Sequence, residues 1–91
     1  MHYVYVLRSA KDDGLYIGYS ANLRQRFTQH LQGSAFPTSY RGPWTLSYYE
    51  AYLEQANAPG RERYLKSGVG RKFLRVQLVH YLKNNPIRST A

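Results

Sequence analysis

Two short runs of strand-forming residues, HYVYVLR at 2–8 and LYIGY at 15–19, flank the turn dipeptide Asp13-Gly14. Val and Tyr favour a pleated, half-buried surface, and Asp-Gly between two such runs is a strong hairpin signal. The pattern predicts an antiparallel hairpin over 2–19, and no other feature of the chain restricts the fold as much. Side chains alternate along a strand. If Val4, Val6, Leu15 and Ile17 share the apolar face, Tyr5 and Tyr16 fall together on the other. Gly18 then leaves room beside them for close approach of backbone or substrate.

Further along, Ser20 or Asn22 can cap a helix running to about Leu31, which Gly33 ends. Leu23, Phe27 and Leu31 form its apolar stripe. Arg26 and His30, four residues apart, lie on the border of that stripe, at the rim of the core and facing the sheet edge. Residues 33–43 are turn-rich and read as a loop. Residues 44–53 read as a third strand, with Glu50 and Glu54 exposed near its end. Asn57 and Pro59 start a helix to about Ser67. Residues 71–83 form a last helix on Leu74, Leu78, Tyr81 and Leu82, which Asn84-Asn85-Pro86 ends. The order ββαβαα predicts a small α/β (α+β) domain, a three-stranded, largely antiparallel sheet flanked by about three helices. The domain is expected over 1–83, with a flexible tail over 84–91.

A chain of 91 residues is enough for one domain with a modest core. It has no cysteine, so neither a disulfide nor a Cys-based zinc site is open to it. The first residues lack the apolar run and small-residue cleavage site of a signal peptide. No stretch approaches the about 18 apolar residues of a membrane span. A cytoplasmic protein without a membrane partner is expected. The formal net charge is +8, and residues 56–91 carry eight of the 13 basic residues but only one of the five acidic ones, Glu62. That asymmetry points to a polyanion, with a plain solubility charge as the alternative. Most of the ten tyrosines are expected to fill the core and its rim.

The scarce carboxylates narrow the chemistry. Asp12 and Asp13 sit in the turn and suffice to shape it. Glu62 shares the inward stripe of its helix with Ala58 and Leu65, among Arg61, Arg63 and Lys66. A carboxylate there needs a cation, either a neighbouring arginine or a metal ion. So few acids make a cage around two metals hard to build. One Mg²⁺ on one carboxylate, completed by water and phosphate oxygens, is the economical design. Arg26 offers a bidentate fork for phosphate, and His30 can move a proton near neutral pH; each could equally be a satisfied residue at the core rim. Lys66, Arg71, Lys72 and Arg75 surround a Gly-rich turn into a helix. They read, with Arg61, as a patch for a nucleic-acid backbone.

Taken together these residues resemble the GIY-YIG endonuclease superfamily. Tyr3-Val4-Tyr5 stands where the first signature triplet belongs, with Tyr-Val in place of Gly-Ile, and Tyr16-Ile17-Gly18 is the second triplet unchanged. Ser20-Ala21-Asn22-Leu23, Arg26 and His30 match the helix that follows. Arg61-Glu62 with Leu65-Lys66-Ser67-Gly68 matches the metal-binding helix. The likeness covers about residues 2–83 and is nearest to the small stand-alone bacterial branch. It implies a metal-dependent endonuclease hydrolysing phosphodiester bonds in DNA, in repair or recombination and on branched or single-stranded regions. It also implies roles. Tyr5 is the general base or its relay, Tyr16 holds the water or phosphate network, and Arg26 stabilises the developing charge. His30 assists proton movement, and Glu62 holds one divalent ion, Mg²⁺ or Mn²⁺. Asn85 is a candidate for a further polar residue found in larger members. The partner is nucleic acid, DNA ahead of RNA, and the oligomeric state is open. The alternative function is a non-cleaving nucleic-acid-binding accessory module.

Overall fold

The computed structural model describes residues 1–35, 38–39 and 41–87. Its elements run β1 (His2–Ser9), β2 (Leu15–Ser20), α1 (Leu23–Leu31), β3 (Trp44–Tyr52), a 3₁₀ turn (Gln55–Asn57), α2 (Ala58–Lys66), α3 (Gly68–Gln77) and α4 (Val79–Asn84). The three strands form one antiparallel sheet in the order β2-β1-β3. No helix among the described residues is long and apolar enough to cross a membrane.

The hairpin register places Tyr5 opposite Gly18 and Val6 opposite Ile17. Asp13 takes the left-handed turn position, with φ 60°, and Arg8 donates to its carboxylate at 2.6 Å. Because β1 is central, both its faces are covered, and Val4, Tyr5, Val6 and Leu7 are all buried. On one face Val4, Val6, Leu15 and Ile17 pack against Ala58, Leu65, Leu74 and Leu78 from the C-terminal helices. On the other, Tyr5, Leu7 and Trp44 pack with Tyr16, Leu23, Phe27 and Leu46 under α1. The sheet is therefore a wall between two helical layers.

A register shift between β1 and β3 falls at Val6/Leu7. Leu7 pairs with Leu46 while Val6 pairs with Tyr48, so Ser47 is the extra residue of a bulge; its hydroxyl donates to the Val6 carbonyl at 3.1 Å. The bulge reverses the alternation along β3. Trp44, Leu46 and Tyr49 consequently share the α1 face, while Tyr48, Glu50 and Tyr52 share the other.

Three helix expectations need correction. The last helix begins at Gly68, not at 71, because Ser67 caps it by accepting from the Gly70 amide. It then breaks at Leu78, whose φ of −97° and ψ of 18° separate α3 from α4, so the described residues form four α-helices. Asn57 makes no side-chain cap to α2, whereas Asn22, one of the two candidates, does cap α1. Of the tail expected from residue 84, residues 88–91 lie outside the described residues, and the Asn85 carbonyl accepts from buried Arg8.

Glu50 is not the exposed strand-end carboxylate expected of it; its side chain is 15% exposed. It accepts from Tyr48 and Tyr52, each at 2.6 Å, and from both ends of the Arg61 fork. Arg61 in turn lies over the rings of Tyr64 and Phe73. The cluster ties β3 to α2 and α3. Burial pushes the Glu50 carboxyl up, but the hydrogen bonds from Arg61, Tyr48 and Tyr52 outweigh it and hold it below its ordinary 4.5. A carboxylate held low adds stability above its ordinary value and loses it as pH falls. Glu50→Gln should therefore cost about 2 kcal/mol at pH 7. That difference from the wild type should shrink as melting is repeated below pH 4.5.

Candidate active site

Tyr5 stands in the middle of the central strand with its ring lying over Gly18. A Cβ on residue 18 would come within 2.5 Å of both the Tyr5 Cζ and its hydroxyl. Any larger residue there would push the phenol out of place. Tyr16, two residues earlier on β2, stands beside it with ring centroids 6.4 Å apart. Helix α1 crosses this face and carries His30 in its last turn. The imidazole packs between the two phenols, 5.6 Å from Tyr5 and 5.2 Å from Tyr16 by ring centroids. Tyr5 and His30 are buried, whereas Tyr16 and Arg26 are half-buried.

A directed chain of hydrogen bonds fixes the imidazole. His30 Nε2 lies 2.8 Å from the Tyr5 hydroxyl, and Nδ1 lies 2.6 Å from Thr38 Oγ1. The Thr38 hydroxyl has one proton and donates it to the Ala35 carbonyl at 3.2 Å. Its oxygen must then accept from Nδ1–H, which leaves Nε2 as the acceptor and Tyr5 as the donor. The Trp44 indole N–H donates to the Thr38 carbonyl at 3.0 Å, so the loop segment that orients His30 is itself anchored to the start of β3. No sequence pattern marked Thr38 or Trp44 for this role; Thr38 lies in the turn-rich stretch eight residues beyond His30.

Burial, with a smaller contribution from the Arg26 charge, pushes His30 down to about 4. The ring is therefore neutral at physiological pH, and its protonation costs stability as pH falls from 6.5 toward 4. Burial likewise pushes Tyr5 up; Arg26 opposes this, while the charges of Tyr16 and Glu62 add to it. At rest the shared proton stays on the phenol. A cation brought near would favour the phenolate, and an anion brought near would favour the imidazolium.

Glu62 comes from the other helical layer, on α2, which packs over β1 and β2. Ala58 and Leu65 of its stripe are fully buried, and Glu62 is 24% exposed at the edge of that stripe. Its ion pair is with Lys66 one turn on, at 3.0 Å, and that lysine is half exposed. This carboxylate can release a surface lysine at little cost and take a metal ion. Among the described residues no three His, Asp or Glu side chains cluster closely enough to hold an ion together. A single carboxylate with water and phosphate oxygens suits Mg²⁺ or Mn²⁺.

The basic residues divide. Arg61 is committed to Glu50 and is not free to hold phosphate. Arg71 donates to the Leu15 carbonyl and Arg75 to the Asp13 carbonyl, so both brace the hairpin while remaining exposed. Lys66 and Lys72 are exposed on the same stretch of chain. The Asn85 amide donates to the Tyr81 carbonyl, and none of its described contacts is with the group around Tyr5.

Comparison with known proteins places the chain among relatives. The model of the GIY-YIG catalytic domain family matches residues 1–73. A UPF0213 protein of Clostridium perfringens is 36% identical over 97% of this chain and 89% of its own. One from Pediococcus acidilactici is 38% identical over 93% of this chain and 84% of its own. The solution structure of a UPF0213 protein from Bacillus halodurans, 36% identical, superposes with a TM-score of 0.53 over 93% of this chain and 87% of that one.

Proposed function

The chain belongs to the GIY-YIG catalytic domain family, a family of endonucleases, and from that premise we propose that it is a metal-dependent endonuclease hydrolysing phosphodiester bonds in DNA. One observation carries the reading. Tyr5, Tyr16 and His30 pack together on one face of the sheet, with half-buried Arg26 one turn before His30 on α1, and Glu62 stands on α2 in the opposite helical layer.

Each residue has a task that its surroundings suit. Arg26 binds a non-bridging phosphate oxygen and stabilises the charge that develops there. Half-buried Tyr16 orients the attacking water. That water attacks phosphorus and one P–O ester bond breaks; the leaving oxygen takes a proton from solvent and departs as an alcohol, and the other product is a phosphate monoester. Tyr5 takes the water's proton as it passes its own to His30 Nε2, whose acceptor state Thr38 maintains. Glu62 would hold Mg²⁺ or Mn²⁺, and a divalent ion there would supply Lewis-acid stabilisation of phosphate charge and lower the pKa of a nearby water. Lys66, Lys72, Arg71 and Arg75 steer the strand by non-specific phosphate contacts. Such contacts carry no sequence information. They suit substrates distinguished by shape, such as branched or single-stranded regions in DNA repair or recombination in the cytoplasm.

The test is nicking of a supercoiled plasmid in Mg²⁺ or Mn²⁺ by wild type, Tyr5→Phe and His30→Ala. Loss of a proton-transfer partner should slow cutting by about a hundredfold or more, with salt-sensitive binding retained. Equal rates in all three proteins would remove Tyr5 and His30 from the reaction.

A further inference from the structure

On the sheet face that carries Tyr5, the first half of α1 does not close completely on β1 and β3. A cavity of about 430 Å³ remains between them, within the range of about 300–1,000 Å³ typical of small-ligand pockets. Tyr3, Phe27, Leu46 and Tyr49 form its walls, and Asn22 and Arg24 stand at its rim. The Tyr3 and Tyr49 rings meet edge to face, 5.9 Å between centroids. Tyr49 is 53% exposed, held there by the β3 bulge. Arg8, Arg41, Arg61 and Arg75 all pair with carboxylates. Arg24 forms no ion pair among the described residues and leaves a free cation at the lip.

Aromatic walls with a cationic rim suit a flat ring attached to a phosphate. Stacking on such walls needs a base whose face is free, and a paired base inside a duplex offers none. The cavity also lies at a useful distance. Tyr3 and Tyr5 share one face of β1 about 7 Å apart, and Arg24 and Arg26 belong to the same helix. A strand running along α1 with one phosphate at Arg26 brings the adjacent base to the cavity.

We propose that this cavity holds one unpaired base of the DNA strand, beside the phosphate bound at Arg26. The protein then selects single-stranded tracts or frayed strands at junctions. The position of the base relative to a cleaved bond rests on the endonuclease reading; the binding of an unpaired base does not.

The test is binding of labelled oligodeoxythymidylate and of a blunt duplex of equal length, in chelator and at one fixed salt concentration. Wild type, Tyr49→Ala, Tyr49→Phe and Arg24→Ala are compared, with thermal melting as the folding control. Tyr49→Ala should weaken the single strand about tenfold and leave the duplex unchanged, while Tyr49→Phe keeps the wild-type affinity. Arg24→Ala should weaken the single strand more than the duplex. Equal losses on both substrates, or none on either, would overturn the proposal. Tighter holding of matched oligouridylate, with the same loss in Tyr49→Ala, would overturn the assignment to DNA. Strand-selective loss in a protein that cuts nothing would leave the cavity standing and remove the endonuclease reading; cutting without that loss would do the reverse.

Discussion

Glu62→Gln should slow cleavage by about a thousandfold while leaving the fold and nucleic-acid binding intact. Glutamine keeps the length and shape of the side chain but removes the charge proposed to hold a divalent ion. Such an ion contributes several kcal/mol of transition-state stabilisation; about 4 kcal/mol, at about 1.4 kcal/mol per decade, is three decades of rate. Stability should change little. The side chain is not in the core, and its pair with half-exposed Lys66 is an i,i+4 surface pair worth about 0.3–0.5 kcal/mol. Binding should not weaken either, because the substitution raises a net charge that is already +8. Rates measured at saturating DNA, with melting on the same samples, check all three. A variant that cuts as fast as the wild type would leave the metal without its proposed ligand.

The second large effect is on stability. Gly70→Ala should destabilise the protein by about 3 kcal/mol, a fall of about 12–24 °C in melting temperature for a domain of this size. An alanine in a helix is ordinarily better than a glycine. Here a Cβ would come within 1.9 Å of the Tyr64 carbonyl oxygen and 2.6 Å of the Leu65 Cα. Both are backbone atoms and cannot swing aside, so α3 would have to lift from α2. Because α2 carries Glu62, the same shift should lower activity. Gly68→Ala is the internal control. It lies in the first turn of the same helix with nothing within 4 Å of the added carbon, and should be neutral or slightly stabilising. Equal melting temperatures for the two variants would show that the α2–α3 corner is looser than described.

What could be read from the sequence followed periodicity. Strand alternation with a hairpin turn put Tyr5, Tyr16 and Gly18 on one face and Val4, Val6, Leu15 and Ile17 on the other, as the register and the two core clusters have it. Helical spacing placed Arg26 with His30, and Glu62 with Ala58 and Leu65. What escaped depends on contacts between distant residues. Glu50 looked exposed because its partner Arg61 is 11 residues away, beyond a turn. The bulge at Ser47, which brings Trp44, Leu46 and Tyr49 under α1, leaves no mark in a run as uniformly strand-forming as WTLSYYEAY. Thr38 meets His30 from eight residues further along, in a turn-rich stretch without periodicity to mark the contact. The break at Leu78 interrupts a stripe whose apolar spacing continues through it, so periodicity alone predicted one helix where there are two.

The activity proposed for this domain is cleavage of DNA with a divalent ion. The most direct measurement exposes one supercoiled plasmid and one branched duplex to the wild-type protein in Mg²⁺, in Mn²⁺ and in chelator, at one salt concentration. Cutting in either metal that stops in chelator is the predicted result. Intact DNA under every condition, with salt-sensitive binding retained, would contradict it and identify a binding module that does not cut.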